Sequence, residues 1–69
     1  MSNYRYRIDC GRILELQAMI ENRTGLMFHE YSQELDAECI KALDGEIPAS
    51  FLINKLCKIV DELEENKNE

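Results

Sequence analysis

Apolar positions along this chain recur at two rhythms. In "YRYRID", Tyr4, Tyr6 and Ile8 alternate with Arg5 and Arg7, and that period of two predicts a short N-terminal β-strand. No second strand pattern follows. A lone strand must pair with another chain or stay extended in water, so residues 1–8 are expected as a strand or a flexible arm. Tyr4, Tyr6 and Ile8 would then be the oligomer contact, pairing antiparallel with a second copy in a homodimer.

From Asp9 onward the period is helical. Asp9 is placed to cap a first helix over about residues 10–23, with Ile13, Leu16 and Ile20 as its buried stripe and Met19 beside it. Leu14 lies off that stripe and faces a second neighbour. Gly25 supplies the stop. A second helix is expected over 27–43, where Phe28, Tyr31, Leu35, Cys39 and Ala42 share one face. Gly45 in "LDGE" closes it. Pro48 suits the first turn of a third helix, whose broad stripe over 48–64 holds Phe51, Leu52, Leu56, Ile59, Val60 and Leu63, widened by Ile53. The acidic run "DELEENKNE" opposes the helix dipole, so 64–69 is expected to fray. The fold expected is a single all-α domain over 1–69: a helical hairpin plus a third helix, all short and amphipathic.

Composition narrows the picture. A chain of 69 residues sits near the lower limit for an independent core. Added surface buried on a partner would help it. The net charge of −6 is uneven: residues 1–25 balance to +1, whereas residues 26–69 carry eleven acids against four lysines, a balance of −7. An acidic body repels phosphate backbones and disfavours direct nucleic-acid binding. A basic protein partner fits the sign better, and nucleic-acid mimicry is a less favoured option. Cys10, Cys39 and Cys57 form no CxxC, which favours reduced thiols acting as small hydrophobes. With no signal peptide and no long apolar run, the expectation is a cytoplasmic protein that does not enter membranes.

Candidate chemistry concentrates in "SQELD", residues 32–36. On a continuous second helix, His29, Ser32, Asp36 and Ile40 share a flank with Leu43, and Gln33 lies just beyond. Polar groups beside exposed apolar ones suit a docking surface, so His29, Ser32, Gln33, Asp36 and Ile40 are the expected partner-binding residues. His29, Ser32 and Asp36 include the residue types of a nucleophilic triad, but one helix flank offers neither an oxyanion hole nor a cleft. One histidine with scattered cysteines gives no metal site, and no cofactor is implied. A partner-completed reaction demands less. An aspartyl phosphate on another protein already holds Mg²⁺, so Gln33 or Asp36 need only orient a water in line.

The segments "ILELQAMIEN", "TGL" and "YSQELDAECI" carry a family resemblance. Over residues 11–43 the chain resembles the sporulation-regulatory aspartyl-phosphate phosphatases of spore-forming bacteria, the stage zero sporulation protein E-like family. Gly25, Leu26, Ser32, Gln33, Leu35 and Asp36 match its pattern of a Gly-Leu connector and a Ser-Gln-x-Leu-Asp helix. The connector is shorter than in that family, and the third helix has no counterpart there. The resemblance implies docking to a phosphorylated response regulator, with Ser32, Gln33 and Asp36 near the contact. "KALDGEIPASF" is also similar to the end of small haemolysin-modulating proteins that bind nucleoid-structuring factors. The functional expectation is a small acidic regulatory protein that binds another protein through its second helix. The alternatives are a response-regulator phosphatase and a self-assembling adaptor.

Overall fold

A computed structural model describes the backbone of residues 3–67 and the side chains of residues 7–65. Four helices follow one another: α1 (Asn3–Thr24), α2 (Phe28–Tyr31), α3 (Gln33–Leu43) and α4 (Ala49–Lys67). The all-α expectation holds, but the details differ in informative ways.

Residues 4–8, expected as a strand, form the opening turns of α1. A strand there would leave its backbone groups without partners, whereas a helix satisfies them within the segment. Asp9 therefore lies inside the helix rather than at its cap. The side chains of Tyr4 and Tyr6 lie outside the described residues, and Ile8 is exposed.

The C-terminus of α1 is closed as its sequence requires. Gly25 takes φ +75° and its N–H donates to the Glu21 carbonyl at 2.8 Å, the single-bond left-handed terminator. Thr24 Oγ1 donates back to the Ile20 carbonyl at 2.8 Å and accepts from Leu26 N–H at 3.2 Å. Glu21 then reaches across the connector, where its carboxylate accepts from Phe28 N–H at 2.9 Å; Glu30 accepts from Met27 N–H at 3.1 Å. Two carboxylates thus satisfy two of the free amides where α2 begins.

The expected single helix over 27–43 is broken at Ser32. That residue has an extended backbone, φ −159° and ψ 109°, and its hydroxyl accepts from Leu35 N–H at 3.2 Å. Serine offers the backbone this local alternative to helix, which is why it favours N-caps. The buried face nevertheless passes through the break: Phe28, Cys39 and Ala42 are buried, and Tyr31 and Leu35 pack against them.

Gly45, at φ +83°, closes α3 in a Schellman arrangement. Its N–H donates to the Ala42 carbonyl at 3.0 Å, and Glu46 N–H donates to the Lys41 carbonyl at 2.8 Å. Pro48 immediately precedes α4. In α4, Leu52, Leu56 and Val60 are buried, with Ile53, Cys57, Ile59 and Leu63 packed around them. Phe51 does not join this stripe. It precedes Leu52 by about 100° of helical rotation and turns outward, 66% exposed. Nor does α4 end near Leu63: Leu63 packs on the core and Glu64 Oε2 meets Arg23 Nη2 at 2.6 Å, so the acidic run continues the helix to Lys67. Residues 68 and 69 lie outside the described residues.

Cross-helix contacts fix the topology. Lys55 on α4 pairs with Glu38 on α3 at 3.1 Å, as an antiparallel hairpin across the Gly45 turn requires. Arg12 approaches Cys57, and Arg23 approaches Glu64, so α1 and α4 run in the same direction. The path is up, down through α2 and α3, and up again. α4 packs most extensively along α1, and the molecule measures 44 × 20 × 15 Å. Ile13, Leu16 and Ile20 of α1 complete the core, leaving no described side-chain polar atom buried without a partner. Among the described residues no helix is long and apolar enough to cross a membrane.

Candidate functional site

The break at Ser32 redistributes the expected docking residues. His29 sits exposed on α2, while Gln33, Asp36 and Ile40 stand on α3. Steps of three and four keep those last three on one side of α3. Gln33 and Ile40 are exposed, Ile40 to 54%, and Asp36 is half-buried. Ser32 does not join them as a free hydroxyl, because it caps α3. Glu34 and Asp36 occupy the first turn of α3, where the helix dipole favours negative charge. Much of "SQELD" is therefore explained as a helix start. A triad of His29, Ser32 and Asp36 is not assembled: Ser32 bonds to a backbone amide, and His29 belongs to a different helix.

Cys39 lies beneath Asp36 and Glu38. Burial pushes its thiol above the ordinary value of 9.0, the neighbouring carboxylates of Asp36 and Glu38 push the same way, and a hydrogen bond with Gln17 offsets part of the effect. Such a thiol stays protonated and inert near neutrality. All three cysteines are unpaired. Among the described residues no three His, Cys, Asp or Glu side chains cluster to hold a metal ion.

A second feature lies on the other flank of α3. Glu38, Lys41, Ile47, Pro48, Phe51 and Leu52 line a groove of about 550 Å³ between α3, the connector and the start of α4. The Schellman turn directs the chain so that Ile47 packs on the core and forms part of the groove. Phe51 also borders a shallower depression of about 260 Å³ shared with Asn54, Lys55 and Lys58. Lys55 Nζ stands 5.5 Å from the centre of the Phe51 ring, within cation–π range. Hydrophobicity counts Phe51 with the core stripe of α4, but the side chain stands outside it beside two lysines. The available signal was the spacing of Phe51, Lys55 and Lys58, which at i, i+4 and i+7 places an aromatic and two cations on one helix face.

Fold and site together define a small helical bundle with an apolar groove beside an acidic helix. No family model, curated protein or solved structure matches the chain.

Proposed function

We propose that this protein is a small acidic regulatory module that acts by binding another protein, with α3 as the centre of its contact surface. The observation supporting the reading is that two of the exposed large apolar side chains flank α3, Ile40 on its outer face and Phe51 across the groove. Exposed apolar surface framed by polar groups is the usual composition of a protein contact. Gln33 and Asp36 stand beside Ile40 and would supply hydrogen bonds, with His29 nearby on α2.

The arrangement of Gln33 and Asp36, three residues apart on α3, favours aspartyl-phosphate phosphatase activity as a second reading. There the response regulator would carry the Mg²⁺, and an amide or carboxylate from α3 would orient water. Two measurements together separate the readings. Affinity capture with the native chain should retain a partner in stoichiometric amounts, and Ile40→Asp or Asp36→Arg should lose it with the helical content unchanged. Equal retention by both variants removes α3 as the contact. Catalytic release of phosphate from a phospho-aspartyl receiver domain, abolished by Gln33→Ala, would replace the first reading with the second.

A further inference from the structure

The net charge of the chain is concentrated at one end of the bundle. α1 and α4 run in the same direction, and Arg23 Nη2 meets Glu64 Oε2 at 2.6 Å. The last turn of α1, the connector, α2, the first turn of α3 and the last turns of α4 therefore lie together. Residues 21–36 and 61–65, which make up this end, hold eight carboxylates against Arg23, a balance of −7. The whole chain is −6, so everything else sums to +1. Arg23 is already offset by Glu64, and Asp61, Glu62 and Glu65 have no ion-pair partner among the described residues. On the connector, Leu26 and Met27 are exposed, while the backbone there is held by Thr24, Glu21 and Glu30.

We propose that this end docks a lysine- and arginine-rich segment of another protein, which sets an aliphatic or aromatic side chain against Leu26 and Met27 and cations against the carboxylates. The inference goes beyond the outer face of α3 as a contact, since the two surfaces share only the first turn of that helix. Charge selects the occupant. An anionic lipid surface or a nucleic acid would meet an excess of like charge. A second copy joined here about a two-fold axis would face the same −7, and joined head to tail it would offer a remainder of only +1. A metal ion needs ligands that converge, and no three His, Cys, Asp or Glu side chains among the described residues do so. Carboxylates spread over helices and a connector fit cations that are likewise spread along a chain. Neighbouring helical turns are about 5.4 Å apart, inside the screening length of about 8 Å at physiological salt. These carboxylates therefore repel one another in the free protein, and cationic side chains relieve that repulsion. Leu26 and Met27 supply the apolar anchor, and the flexible thioether of Met27 adapts to what it meets.

A random short-peptide display library, selected on the full chain, tests the proposal. Enriched peptides should carry several Lys or Arg beside a Leu, Ile or Phe. Fluorescence anisotropy should then show affinity falling about tenfold, a change of about 1.4 kcal/mol, in Leu26→Ser/Met27→Ser and again in Glu62→Gln/Glu65→Gln. Native affinity should also fall as salt rises from about 0.1 to about 1 M, which shortens the screening length from about 10 to about 3 Å. Glu62→Gln/Glu65→Gln should flatten that dependence. All four side chains are exposed, so circular dichroism should match the native chain. Enrichment of acidic peptides, enrichment of none, or undiminished binding by Leu26→Ser/Met27→Ser overturns the proposal. Binding lost in Ile40→Ser and kept in both end variants overturns it too, while leaving the outer face of α3 as the contact, so the two readings fail separately.

Discussion

The Ser32 hydroxyl oxygen already accepts from Leu35 N–H. A hydroxyl accepting from the third residue of a helix replaces water that the amide would otherwise need. Ser32→Ala should therefore lower unfolding free energy by about 1 kcal/mol, while Ser32→Asp should restore most of it, as read by urea denaturation. In a domain of this size such a change is a substantial part of the whole. Loss of partner binding in Ser32→Ala at undiminished stability would instead mean that the hydroxyl faces the partner.

At the scale of the element, α1 carries the clearest test. The helix runs without interruption from Asn3 to Thr24, which puts Gly11 in its interior, and a methyl group there would meet nothing within 4 Å. Gly11→Ala should stabilise the protein by about 0.5–1 kcal/mol, visible as a higher melting temperature. A helix starting after Asp9 would hold Gly11 in its first turn, and the gain would nearly vanish. The stripes 13/16/20, 28/31/35/39/42 and 52/56/60 were legible in the sequence because burial imposes the helical period on apolar residues. Gly25 and Gly45 were legible because a left-handed terminator selects glycine. The alternation of Tyr4, Tyr6 and Ile8 misled, since a period of two is short enough to occur within a helix when no sheet exists to enforce it. The break at Ser32 was hidden because the buried face runs through it. The outward turn of Phe51 is not legible, because its neighbour Leu52 belongs to the core and hydrophobicity alone does not distinguish them. Of the candidate site, Gln33, Asp36 and Ile40 could be placed on one face, whereas the groove depends on two helices and a turn meeting in space.

Over the whole molecule, Cys39 reports on cooperativity. Its side chain is fully enclosed by the bundle, while Cys10 and Cys57 are partly open. A thiol reagent should label Cys10 and Cys57 in the native state and Cys39 only through opening of the core. Mass spectrometry after timed labelling in increasing urea checks this. Prompt native-state modification of Cys39 would show a looser core. The raised thiol also gives an alkaline trend. Above 9.0 the unfolded Cys39 releases its proton while the folded one retains it, so the unfolded state binds fewer protons and this contribution to stability falls as pH rises. The connector carries a consequence of another kind. Ile47 and Pro48 are at once the path between two helices and part of the groove lining, so the span from Gly45 to Pro48 also sets the shape of the recess. Inserting a residue there would leave both helices hydrogen-bonded but shift Ile47 relative to Phe51. Loop length thereby becomes a dial on the shape of that recess, adjustable without redesigning the scaffold.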